Sequence, residues 1–277
     1  MSTTAWSLKH IRFPCSGLAL FWLSAGAWAS DAEQETPREG LAGVAVTVSV
    51  DHLGRRTEPT LGLDPVWAIQ LGRFRLASGR AAGLLSAGRD PVDAGLSTAL
   101  GHAGGWRLST SLRIREGRDA DDNDVLLRGL PGTRTTLLGR LSASRDLGRR
   151  WTGNLSATQD LLGNGAGLAL GFGLGYRYPV SERTHWDAAA GAGWSNATAR
   201  RSSFGIGAQA GRSPYAMGAG WDNVHLAWNL TSVIHPHWVA WCGLSVSQLQ
   251  GAAARSPLVG RPTVASASVG LAYRGRY

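Results

Sequence analysis

Five side chains in this 277-residue sequence have the types that hydrolytic chemistry needs: Ser195, His185, His225, Asp187 and Asn223. A serine nucleophile requires a histidine to take its proton and a polar group to orient that histidine. All five sit at odd positions of period-two stretches, so they share one face of the strands that carry them. A water-facing interior carries such residues without catalysis. The chain is therefore read as non-enzymatic, with no catalytic, cofactor-binding or metal-binding residue assigned. Asp119, Asp121, Asp122 and Asp124 form a hard-oxygen cluster suited to Ca²⁺. Asp124, however, stands where a calcium loop needs its turn glycine. A solvated outer loop, or divalent bridging to lipopolysaccharide, is the simpler use. His235 and His237 flank Pro236. They could hold a metal, but a tight turn in which proline fixes φ is the default.

The elements that must position these residues are strands. Residues 165–178 read G-A-G-L-A-L-G-F-G-L-G-Y-R-Y. Leu168, Leu170, Phe172, Leu174, Tyr176 and Tyr178 alternate with glycine and alanine until Arg177. Period two marks a strand, and its length matches the roughly ten-residue tilted strand that crosses an outer membrane. Unpaired backbone in hydrocarbon costs several kcal/mol per group, so such a strand requires a closed barrel.

Twelve segments carry this alternation: 44–51, 61–71, 73–86, 93–101, 106–115, 133–146, 151–161, 165–178, 184–195, 222–234, 237–249 and 264–277. Val44, Val46, Val48 and Val50 point one way in the first, and Trp186, Ala188, Ala190, Ala192 and Trp194 do so in the ninth. These two tryptophans are roughly 27 Å apart along a strand, near the girdle spacing of a tilted barrel strand. Pro65 weakens the second segment because it removes a ladder donor, and 73–86 is the least regular. The gaps alternate short and long, except for the short gap at 162–164. The expected fold is an all-β, antiparallel, up-and-down transmembrane barrel of about 12 strands, with short periplasmic turns and longer extracellular loops.

Residues 1–29 read as a cleaved signal peptide: Lys9 and Arg12, a short apolar run from Gly17 to Leu23, then Ala27-Trp28-Ala29. Residues 30–43 form a short N-terminal segment and 44–277 the barrel. The mature chain carries 26 basic and 19 acidic residues, about +7, and every cation is arginine. Arginine suits bidentate contact to lipopolysaccharide phosphates, although GC-rich codon usage accounts for it more simply. Export excludes nucleic acid as a partner. Cys242 is the one cysteine left after cleavage, so no internal disulfide forms. Inward Arg107, Arg113, Arg115, Arg134 and Arg140 would favour anions in a narrow pore; pairing with Asp146, Asp160 and Asp187 would instead plug the lumen.

The sequence resembles the MipA/OmpV family of outer-membrane proteins. The matching stretches are G-R-D-A-D-D-N-D-V-L-L-R-G-L (117–130), G-L-G-Y-R-Y within the glycine-rich strand, S-V-S-Q-L-Q-G-A-A-A-R-S-P-L-V (245–259) and V-G-L-A-Y-R (269–274). The family usually stops at Y-[RK]-F, whereas this chain continues to Arg276-Tyr277. The resemblance implies an outer-membrane scaffold that holds a lytic transglycosylase, MltA, together with a penicillin-binding murein synthase. A narrow anion-favouring porin and a surface adhesion protein are the alternatives. Outer-membrane lipid and lipopolysaccharide are the expected surroundings, no cofactor is implied, and the family supplies no catalytic residues.

Overall fold

The structure is a computed structural model that describes residues 39–50, 52–53, 59–79, 94–117, 132–207 and 213–276. Twelve strands run in chain order: β1 (Glu39–Ser49), β2 (Thr60–Leu71), β3 (Phe74–Ala77), β4 (Gly95–Ala103), β5 (Trp106–Arg115), β6 (Thr136–Asp146), β7 (Trp151–Asp160), β8 (Leu168–Pro179), β9 (Thr184–Ser195), β10 (Gly220–His235), β11 (Trp238–Leu249) and β12 (Thr263–Arg276). Each pairs antiparallel with its sequence neighbours, and β1 pairs with β12, so the sheet closes. Closure leaves no sheet edge in lipid, which is the condition for a spanning sheet. No described helix is long and apolar enough to cross a membrane.

Facing follows from register. Val44, Val46, Val48, Leu61, Leu63, Phe172, Leu174, Leu226 and Leu244 are exposed outward, with Leu61 and Leu63 each 72% exposed. A soluble protein would bury such a band; lipid accepts it. Inward positions are small or polar on most strands. Trp186 and Trp194 stand near opposite ends of β9, as their spacing predicted. Trp194 faces Trp221 across the ladder to β10 at one end, and Trp186 packs on Tyr176 and Tyr178 at the other.

The start of β1, the end of β12 and five tight turns share one edge of the barrel. The turns are 72–73, 104–105, 147–150, 180–183 and 236–237. The opposite edge carries the longer connections, including α1 (Ala197–Phe204) and the one-turn α2 (Gly251–Ala254).

Several boundaries differ from the sequence reading. β1 begins at Glu39, ahead of Val44, because Glu39 through Gly43 pair with both β2 and β12. β3 is limited to Phe74–Ala77. At its end Ser78 turns back onto β2: its N–H donates to the Trp67 carbonyl, and its Oγ accepts from the Trp67 N–H at 2.9 Å. The β2–β3 ladder stops at Ala68 opposite Ala77, short of Pro65, which has no N–H to give. β6 starts at Thr136, so Arg134 lies in the preceding loop and not on an inward strand position. Thr135 ends that ladder: its Oγ1 accepts from the Gly117 N–H and its carbonyl from Asn164 Nδ2 at 2.7 Å. β12 runs past Arg274 to Arg276, which pairs with Glu39. The signal segment, residues 30–38, residues 80–86 of the third segment, the Asp119–Asp124 cluster and Tyr277 lie outside the described residues.

Candidate functional site

The lumen has two kinds of wall. Along β11, β12, β1, β2 and β3 it is apolar and close-packed: Trp241, Ala272, Leu41, Ala45, Val66, Ala68 and Ala77 form one buried cluster. Trp241 is 5% exposed and lies across its cross-strand partner Gly270. A Cβ on Gly270 would come within 2.1 Å of the indole ring, so only glycine leaves room for it. This apolar wall was not legible in the sequence, because it requires the β11–β12 register to bring an inward tryptophan onto a glycine.

From β5 to β9 the wall is polar, and its charges are largely matched. Arg107 makes a two-pronged contact with Asp146, at 2.7 and 3.0 Å. Arg140 donates to Ser156 Oγ at 2.9 Å. Arg177 pairs with Asp187 at 2.6 Å, and His185 Nε2 stands 3.4 Å from the other Asp187 oxygen. Asp160 is buried and takes donors from Thr136 and from the Leu162, Gly163 and Ala166 amides. Of the arginines expected in the lumen, Arg113 and Arg115 are exposed and make no ion pair among the described residues; Arg115 reaches Ser203 Oγ at 3.4 Å. The pairing alternative therefore holds for Arg107–Asp146. Asp187 is taken by Arg177, and Asp160 by a hydroxyl and backbone amides.

The hydrolase candidates are not brought together. His185 and Asp187 sit at the tight-turn end of β9, whereas Ser195 closes the other end, roughly 33 Å and roughly 26 Å away along the strand. There Ser195 hydrogen-bonds Asp222. His225 lies over Gly191 and Asn223 over Gly193, filling space that a side chain on β9 would occupy. His235 and His237 flank the turn at Pro236 with ring centres 6.1 Å apart. The Nδ1 of His237 is within 3.2 Å of the Arg274 carbonyl, and its ring stacks on Tyr273. His237 is thus engaged within the turn.

The long-loop edge carries a built cap. Asn196 caps α1 by accepting from the Ala199 N–H at 3.0 Å. Arg200, 5% exposed, pairs with Asp222 at 2.9 Å and donates to the Gly218 and Trp221 carbonyls. In the S-P-L-V element, Ser256 Oγ donates to the Phe204 carbonyl and accepts from the Leu258 N–H. Leu258 is fully buried beside Ile206, with Leu53 and Tyr215 packed against them. The S-P-L-V element lies in a stretch that matched the family, but its place in this cap had no signal in the sequence, and neither did the Arg200–Asp222 pair.

The tight-turn edge is aromatic and basic. Trp151, Tyr176, Trp186 and Tyr178 form a chain of ring contacts 4.8 to 5.8 Å apart. Trp238 and Tyr273 meet edge to face across β11 and β12. On the lipid face between β8 and β10, a shallow apolar groove of about 600 Å³ runs along Ala190 and Ala192 between Phe172, Leu174, Val224 and Leu226.

These features define an outer-membrane β-barrel of twelve strands. Solved structures of similar build include the COG4313 outer membrane channel from Pseudomonas putida F1 (12% identity, 90% of this chain and 100% of that chain, TM-score 0.42). An anion-selective porin from Comamonas acidovorans (9% identity, 86% and 98%, TM-score 0.40) and Salmonella typhi OmpF in complex with daunomycin (10% identity, 88% and 99%, TM-score 0.41) are others. No curated protein sequence matches. The family model described as MltA-interacting protein MipA matches residues 42–275, and the chain belongs to that family.

Proposed function

We propose that the protein is exported on a signal peptide cleaved after Ala29 and acts in the outer membrane as a non-enzymatic scaffold. Its partners on this reading are a lytic transglycosylase and a penicillin-binding murein synthase, docked at the periplasmic rim. The observation that carries the proposal is the family match over residues 42–275, in a family whose name describes interaction with MltA. The rim supports it: its five short turns make a constrained surface on the side facing the cell wall. Rigid surfaces bind without paying a large ordering cost.

A second reading is a narrow anion path, favoured by exposed Arg113 in the lumen. Against it, Arg107 and Arg177 are neutralised and one wall is packed with apolar side chains. Planar-bilayer recording of the purified protein separates the two. A scaffold gives closed traces and co-purifies with murein enzymes. Steady anion-selective steps without such partners would replace the scaffold by the porin.

A further inference from the structure

Among the described residues, the arginines stacked on aromatic rings all lie at the tight-turn edge. Arg73 stands 5.5 Å over Phe74, Arg145 5.9 Å over Trp106, and Arg150 4.6 Å over Tyr178. Arg150 also donates to the Tyr176 hydroxyl at 3.2 Å. Arg73 and Arg150 belong to turns, and Arg145 is the next-to-last residue of β6. Phe74, Trp106 and Tyr178 have the parity of the lipid face, so each guanidinium sits where that face meets the headgroups. At the opposite edge, Phe172 and Trp221 pack on each other, with no guanidinium over them among the described residues.

Among the described residues, charge at this edge is one-sided. The turns carry Arg73, Arg149, Arg150 and Arg183 against Glu182. The other described acids nearby are turned to inward partners: Asp146 to Arg107, Glu39 to Arg274 and Asp187 to Arg177. Arg73, Arg145 and Arg150 make no ion pair among the described residues. A ring face holds a guanidinium by its plane and leaves its N–H edge free to donate. At headgroup depth the acceptor on offer is a phosphodiester, which arginine binds through paired hydrogen bonds. In a zwitterionic lipid the headgroup ammonium competes for that phosphate. In an anionic phospholipid nothing does.

We propose that Arg73, Arg145 and Arg150, mounted on Phe74, Trp106 and Tyr178, form a binding belt for the phosphodiester headgroups of anionic phospholipid in the periplasmic leaflet. The proposal rests on the barrel reading and on the tight turns being periplasmic. The test refolds the full mature chain into vesicles of phosphatidylethanolamine and phosphatidylglycerol. Lipids retained after detergent extraction are counted by native mass spectrometry. Wild type should retain phosphatidylglycerol above its bulk proportion. Each of Arg73→Gln, Arg145→Gln and Arg150→Gln should lower that preference roughly fivefold, and the triple variant should abolish it. The outer-edge variant Arg261→Gln should leave it unchanged. If the triple variant does not fold, the single variants and the wild-type enrichment decide. Bulk-proportion retention by wild type, or enrichment unchanged in the variants, would overturn the proposal. So would a parallel run with lipid A vesicles in which the variants lose lipid A and not phosphatidylglycerol. Boiled and unboiled gel mobility is read on every sample. Loss of heat-modifiability in wild type refutes the barrel itself, whereas a heat-modifiable protein without enrichment refutes only the belt.

Discussion

Leu226 and Ala227 are adjacent on β10 and face opposite ways, which makes them a direct test of facing. Leu226 is 64% exposed toward lipid. Ala227 points inward between Ala189 on β9 and Ser245 on β11, both small enough to leave room. Leu226 stands five residues from Trp221 and four from Leu230, which neighbours Trp186. At roughly 2.6 Å of height per tilted residue, that is about 13 Å and about 10 Å from the two aromatic girdles. The site is therefore close to the bilayer midplane, where an outward arginine costs about 2–4 kcal/mol. Leu226→Arg should lower the folding equilibrium constant by roughly 30- to 700-fold. Ala227→Arg, at the same depth but in an aqueous lumen, should cost about 1 kcal/mol or less. Reversible urea unfolding in lipid vesicles, followed by tryptophan emission and by gel mobility without boiling, measures both. Equal penalties, or a larger one at Ala227, would refute the assigned register of β10.

Three further outcomes follow from packing. Gly270→Ala should destabilise the barrel by about 1–3 kcal/mol through overlap with Trp241, and a second change, Trp241→Leu, should recover part of the loss; urea midpoints of the single and double variants check this. Arg200→Ala strands Asp222 and two carbonyls in the outer cap, so chymotrypsin should cut after Tyr215 at rates well above wild type while the barrel stays heat-modifiable. Deleting Gly275–Tyr277 removes the pairing of β12 with Glu39 and Gly40, and should cause loss of folded barrel and accumulation in the periplasm, read by fractionation and heat-modifiability.

The bounds of β5 and β9 were legible residue for residue, because strict alternation with tryptophan at a strand end leaves no other register. β1 was read short because Glu39-Gly40-Leu41-Ala42-Gly43 puts its one large apolar residue inward, so the outward alternation starts only at Val44. β3 was read long because alternation alone does not register what Pro65 denies its neighbour. Apart from Arg134, which way the strand arginines face was readable, but which arginine pairs with which acid was not. Arg107 lies opposite Ser144 and reaches Asp146 diagonally, a pairing that the β5–β6 register alone decides. The cap pair Arg200–Asp222 and the contact of Trp241 with Gly270 belong to the same class, since both join residues far apart in the chain.

Photocrosslinking from the periplasmic turns tests the scaffold claim most directly. A photoreactive residue replaces Arg149 or Glu182, both exposed in tight turns, and for comparison Arg255 on the opposite edge. Living cells are irradiated, and the adducts are identified by mass spectrometry. The account predicts a lytic transglycosylase and a penicillin-binding protein trapped from positions 149 and 182 but not from 255. Adducts free of murein enzymes at both periplasmic positions, from protein that is heat-modifiable and present at normal levels, would contradict it.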